Sequence, residues 1–124
     1  MQVYKVEKKL RLTKEDAVKY QLITELIFLK KDLLIDSDLN ILTLLAIWGP
    51  MELSKFCNES AKKLYVIKKM EEFSVKAQNI RNRISKLQKR NLIDKNGKQI
   101  KLSDNLNVFT KGNILIDYNF LATE

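Results

Sequence analysis

The sequence predicts an α+β fold that is mainly helical, in one domain spanning 1–124. Three observations carry that prediction. Three glycines and one proline in 124 residues leave few places to interrupt a helix. Apolar residues recur at helical spacing through most of the first ninety positions. Leu92-Ile93-Asp94-Lys95 and Lys98-Gln99-Ile100-Lys101-Leu102 then flank Asn96-Gly97, a strong short-range signal for a β-hairpin.

In chain order, Tyr4, Val6, Leu10 and Leu12 alternate loosely, as in a strand, although a charged arm explains them equally well. Thr13, with Asp16 three positions later, resembles a capping box opening a helix from Lys14 to about Lys31. Ala17, Val18, Leu22, Ile23, Leu26, Ile27 and Leu29 give that helix a wide apolar face. The surplus at Phe28, Leu29, Leu33 and Leu34 suits either core or contact with a partner. Asp36 and Ser37 are expected to cap a second helix, Asp38 to Trp48, apolar enough to form the centre of the core and ended by Gly49-Pro50. A short helix with Leu53 and Phe56 inward follows, and Ala61 to Phe73 is expected to continue helical on Leu64, Ile67 and Met70.

The next helix, opened by Ser74 as N-cap, carries a narrow stripe of Ala77, Ile80, Ile84 and Leu87 and stops at Asn91. A type I′ turn at Asn96-Gly97 would pair Lys95 with Lys98 and Ile93 with Ile100. Ser103-Asp104-Asn105 then reads as a turn, and Asn107–Thr110 and Ile114–Phe120 as two further strands. The chain thus divides into an N-terminal arm and helix (1–36), a central unit (37–102) and a C-terminal β extension (103–124).

Charge is confined in the same way. Residues 75–101 hold nine Lys/Arg against a single acid, Asp94, so this stretch carries a net +8. The whole chain also carries +8, with 23 basic and 15 acidic residues, so everything outside the stretch is neutral in sum. Such a footprint is expected of a surface that faces phosphates, although a basic helix face also occurs as plain solvated surface.

Other chemistries find little support. One cysteine and no histidine exclude a disulfide framework and a zinc site of the usual kind. Cys57 has no histidine to activate it, adjacent Glu71 and Glu72 point apart on a helix, and no glycine-rich phosphate loop is present, so no enzyme and no cofactor are expected. The N-terminus is too charged for a signal peptide, and Glu25, Lys30, Lys31 and Asp32 interrupt the most apolar run, so no membrane segment is expected. Heavy use of Lys, Asn, Ile and Leu suits an AT-rich genome, bacterial or phage.

The order from Ser37 onward, with the apolar helix LNILTLLAIWG, the ELSKF segment, the basic helix ending in ISKLQKRNLI and the hairpin DKNGKQIKL, resembles a winged helix-turn-helix domain of the repressor and replication-initiator kind. The resemblance covers 37–102. The long N-terminal helix and the C-terminal strands are additions to it. So are about 15 residues from Glu59 to Phe73, which read as an inserted or extended helix and put the docking into question.

The resemblance implies binding of double-stranded DNA by a regulator or replication accessory protein in the cytoplasm of a bacterial or phage-infected cell. Gln78, Asn79, Arg81, Asn82 and Ser85 would approach base edges. Lys76, Arg83, Lys86, Lys89 and Arg90 would contact phosphates, as would Lys95, Lys98 and Lys101 of the hairpin. Arg81, Arg83 and Lys86 all lie off the apolar stripe. An RNA-binding role is a minor alternative. The other reading is a phage virion or neck component that uses the same body as a protein–protein module, with itself or with other phage structural proteins.

Overall fold

In a computed structural model, which describes residues 3–6 and 11–115, the chain is α+β and mainly helical. Its elements run α1 (Lys14–Phe28), α2 (Asp36–Trp48), β1 (Met51–Glu52), α3 (Leu53–Leu64), α4 (Met70–Lys89), β2 (Ile93–Asn96) and β3 (Gln99–Leu102). The three strands form one antiparallel sheet in the order β1-β3-β2.

Local chemistry explains three of the helix ends. Thr13 Oγ1 accepts the backbone N–H of Asp16 at 3.1 Å and opens α1. α1 closes in a Schellman arrangement: Lys30 sits at φ +55°, its N–H donates to Ile27 O and that of Lys31 to Leu26 O. α4 closes in the same way, with Asn91 at φ +61°, its N–H donating to Gln88 O and that of Leu92 to Leu87 O. Leu87 and Leu92 are both buried, which supplies the apolar contact of that motif. Asn91 therefore stops α4 as its sequence position suggests.

The core lies where the helices meet the inner face of the sheet. Val18, Leu22 and Leu26 of α1 pack with Leu39, Ile41, Leu42, Leu44 and Leu45 of α2, Phe56, Cys57 and Ala61 of α3, and Ile80, Ile84 and Leu87 of α4. Leu92, Ile93 and Ile100 close it from the hairpin. Phe56 is fully buried and meets Trp48 edge-on, with ring centroids 5.7 Å apart, although Trp48 itself remains partly exposed. The buried hydroxyls of Thr43 and Ser60 are satisfied inside their own helices, Thr43 donating to Leu39 O at 2.7 Å and Ser60 to Phe56 O at 2.6 Å.

Several expectations are corrected. α2 starts at Asp36, with Ile35 as an N-cap that makes no side-chain bond, so Asp36 and Asp38 lie within its first turn. Met51 and Glu52 form a strand missing from the sequence reading. It exists through its pairing with Ile100 and Gln99, not through local preference. The helix expected across Ala61 to Phe73 is broken: α3 ends at Leu64, Tyr65 turns extended at φ −127°, ψ 145°, and α4 starts at Met70. The segment 59–73 thus holds no additional helix, only the end of α3, a connection over 65–69 and the start of α4. Ser74 lies within α4 and is not its cap; Lys69 is the N-cap, and Glu72 Oε2 reaches back to accept the N–H of Lys68 at 3.0 Å.

The hairpin is shifted by two residues from the expected register. Ile93 pairs with Leu102, Lys95 with Ile100 and Asn96 with Gln99. The turn is centred on Gly97-Lys98, with φ +63° at Gly97 alone, as in a type II′ turn that needs glycine first. A shift of two preserves the strand faces, so Ile93, Ile100 and Leu102 stay on one side.

Beyond the sheet, Ser103–Leu106 turns, with Leu106 N–H donating to Ser103 O at 3.0 Å. Residues 107–115 contain no strand, which corrects the expected Asn107–Thr110 strand and the start of the second one. The rest of that strand, 116–120, lies outside the described residues. The same holds for part of the expected N-terminal strand; residues 3–6, 11 and 12 are not in a strand.

Candidate nucleic-acid interface

α4 is held by its apolar side. Ile80, Ile84 and Leu87 are buried, Ala77 and Phe73 are half-buried, and the register expected for the basic helix holds. The remaining surface of the helix follows from that anchoring. Gln78, Asn79, Asn82, Ser85, Lys86 and Lys89 are exposed. Gln78 Nε2 donates to Asn82 Oδ1 at 3.0 Å, an i,i+4 bond that orders two amides on the outer face. Acids occupy the first turn (Glu71, Glu72) and bases the last (Lys86, Lys89), matching the helix dipole.

Arg81 lies at the flank that faces α3. Its guanidinium donates to Ser54 Oγ at 2.9 Å. Ser54 belongs to the first turn of α3, and that turn is tied to the hairpin through Leu53 N–H, which donates to Lys98 O at 2.8 Å. Three elements thereby converge on a shallow cleft lined by Glu52, Leu53, Ser54, Arg81, Lys95, Gly97 and Lys98. Three basic side chains face one acid there. Backbone N–H groups at the start of α3 add partial positive charge.

Other basic residues have structural engagements. Arg83 Nε lies 3.8 Å from Oδ1 of Asp38, a largely buried carboxylate whose Oδ1 accepts no hydrogen bond among the described residues. Arg90 donates to Asp32 O at 3.1 Å while its own carbonyl accepts from Lys31 Nζ at 3.1 Å, fastening the end of α4 to the α1–α2 connection. Lys76 Nζ stands 4.7 Å from the ring centroid of Tyr65. Lys101 pairs with Asp104 at 3.2 Å. Lys95 and Lys98 are exposed on the hairpin.

The sequence-predicted site therefore separates into two groups. Gln78, Asn79, Asn82, Ser85, Lys86 and Lys89 on α4, with Lys95 and Lys98, form an open polar and basic surface, and Arg81 borders it with its guanidinium bound to Ser54. Lys76, Arg83, Arg90 and Lys101 interact with the protein itself. Ser54 lies outside the site expected from the sequence. It sits in the first turn of α3, and its contact with Arg81 places that turn beside the basic helix.

Cys57 is buried, and that burial pushes its thiol pKa up despite the nearby Arg81 charge. A neutral buried thiol is a poor nucleophile. No helix among the described residues is long and apolar enough to cross a membrane. No family model, no curated protein and no solved structure matches the chain.

Proposed function

We propose that the chain is a winged-helix protein that binds double-stranded DNA, with α4 toward the major groove and the β2–β3 hairpin as the wing. The observation that carries this reading is the confinement of net charge. Residues 75–101 hold the chain's entire excess of +8, and they are α4 beyond its first turn, where Glu71 and Glu72 lie, together with the hairpin beside it. The element order helix, short strand, helix, helix, hairpin, with β1 pairing onto β3, supports the winged-helix reading. The short 65–69 connection supports it too, because no extra helix stands between α3 and α4.

In this reading Gln78, Asn79, Asn82 and Ser85 address base edges. Amide side chains suit adenine, which offers one donor and one acceptor in the major groove. Lys86, Lys89, Lys95 and Lys98 address phosphates, and so does Arg81, which the sequence reading set toward base edges but which lies at the flank of α4 against Ser54. Arg83 and Arg90 act as supports that hold α4 against α2 and the α1–α2 connection. A regulator or replication accessory role follows from binding of this kind.

Fluorescence anisotropy with a random-sequence duplex across a salt series tests the reading. The expected result is binding that weakens steeply, with log K falling by about 0.9 per neutralised phosphate for each decade of salt. Absence of binding at low salt overturns it. A second reading, a phage structural or assembly module, is favoured by a separate observation: Tyr20, Ile27, Phe28, Leu33 and Ile35 are each more than half exposed on and beside α1.

A further inference from the structure

We propose that Asn96, at the tip of the β2–β3 hairpin, is a site of self-modification, where the backbone nitrogen of Gly97 attacks the side-chain amide and a carboxylate takes its place. Ring closure of this kind needs an unobstructed nitrogen on the following residue, and only glycine has no side chain in the way. Asn96-Gly97 is the single Asn-Gly pair in the sequence. The other asparagines each precede Ile, Leu, Val, Phe, Glu or Arg.

The fold leaves both reacting groups open. Asn96 and Gly97 are exposed, and the Asn96 amide makes no side-chain hydrogen bond among the described residues. Gly97 lies outside the strand ladder at φ +63°, with empty space where a Cβ would stand. The Asn96–Gln99 pair is the last of the ladder, so the tip opens without moving Ile93 or Ile100 out of the core. Opening lets the backbone of Asn96 rotate and bring its Cγ onto the Gly97 nitrogen. Gly97 also lines one cleft with Arg81, Lys95 and Lys98. Their positive charge favours the deprotonated nitrogen and the negative oxygen that forms at Cγ.

The step balances with water as the only co-reactant. A bond forms between Gly97 N and Asn96 Cγ, the bond from Cγ to Nδ2 breaks, and ammonia leaves with the proton that Gly97 gave up. Water then opens the five-membered ring. Cleavage at Cγ gives aspartate, and cleavage at the backbone carbonyl gives isoaspartate, whose main chain runs through Cβ. Nothing is oxidised or reduced.

The hairpin 93–102 holds three lysines and one acid, a net +2, and the new carboxylate lowers it to +1. That charge stands between Lys95 and Lys98. On the DNA-binding reading proposed above, on which this consequence alone rests, an aged chain loses hold of phosphate at the wing.

The folded full chain, kept without DNA in mildly alkaline buffer and sampled over days, is digested and mapped by mass spectrometry. The expected result is the mass gain of exchanging –NH2 for –OH, fastest at Asn96, with aspartate and isoaspartate as two chromatographic forms. Asn96→Gln should abolish it, because a six-membered ring closes far more slowly. In a duplex titration, Asn96→Asp should flatten the salt slope by about 0.9, the share of one phosphate contact. No gain at Asn96, or a gain no faster there than at the other asparagines, overturns the inference. An Asn96→Asp slope equal to that of the unchanged chain overturns the charge consequence. If the unchanged chain binds no duplex, the DNA reading fails while the mass map still decides the modification.

Discussion

The side-chain amide of Gln21 forms a two-bond clasp with the backbone of Phe109. Nε2 donates to Phe109 O and Oε1 accepts from Phe109 N–H, both at 2.7 Å. Gln21 is 8% exposed, in the middle of α1, and it binds a segment 88 residues away as a neighbouring β-strand would. This clasp, together with Leu106 in the core and Val108 packed against it, holds the stretch after the sheet in place of the strand pairing that the sequence suggested. Gln21→Leu removes both bonds and leaves two backbone groups short of partners, so it should cost about 1–3 kcal/mol. Urea denaturation followed by Trp48 fluorescence measures that loss, and faster amide exchange at Phe109 should accompany it.

Arg83 and Lys86 are three residues apart on α4, and their substitutions should behave differently. Arg83→Ala leaves the buried Asp38 carboxylate without its cation and should destabilise the fold by about 1–2 kcal/mol, the partial exposure of Arg83 limiting the effect. Lys86→Ala should leave the melting temperature within about a degree, since exposed surface changes lie within about 0.5 kcal/mol. In the DNA salt series, the combination Arg81→Ala, Lys86→Ala and Lys98→Ala should flatten the slope by about 0.9 per lost phosphate contact. A charge reversal at Arg83 would confuse lost binding with lost stability.

Ile84 is 2% exposed on the inner stripe of α4. Ile84→Asp places a carboxylate among Leu, Ile and Phe side chains, a burden of several kcal/mol that a domain of this size does not survive. Loss of the cooperative melting transition is the expected outcome.

Asn91 stands at φ +61°, where a side chain branched at Cβ is strained. Asn91→Gly should keep or slightly raise stability, and Asn91→Val should lower it by about 1–2 kcal/mol. Thermal melts of the two variants read the difference directly.

The thiol of Cys57 titrates above its ordinary value because burial disfavours the thiolate. Its neutral form is favoured in the fold, so this group's contribution is complete below the unfolded pKa and is lost as pH rises through the folded one. Alkylation at pH 8 should accordingly be slow in the native protein and prompt in denaturant, as read by mass spectrometry.

Much of this architecture is legible in the sequence where local rules agree with the fold. The stripe Ile80, Ile84, Leu87, the cap at Thr13, the stop at Asn91 and the existence of the hairpin follow from spacing and residue type. Three features do not. The break at 65–69 is hidden because Leu64, Ile67 and Met70 keep helical spacing across it. The two-residue strand β1 has no local signal, being defined by its partner in β3. The hairpin register depends on Gly97 taking the first turn position, and a slip of two residues leaves every apolar side chain on the same face. At the candidate interface, composition alone singled out the basic residues. Which of them meet solvent and which brace the fold depends on Asp38, Asp32, Tyr65 and Asp104, partners that come from other parts of the chain or lie across a turn.

The strand order has a consequence for how the molecule tolerates crowding. β3 lies in the middle and has both sides occupied, β1 offers an edge only two residues long, and β2 closes the other edge with Asp94, Lys95 and Asn96. A sheet bounded in this way gives a neighbouring chain almost no apolar ladder to extend, because charged and short edges are what resist strand addition. Fibre growth through the hairpin is therefore disfavoured, and the protein should remain free of β-aggregates at the high concentrations used for spectroscopy.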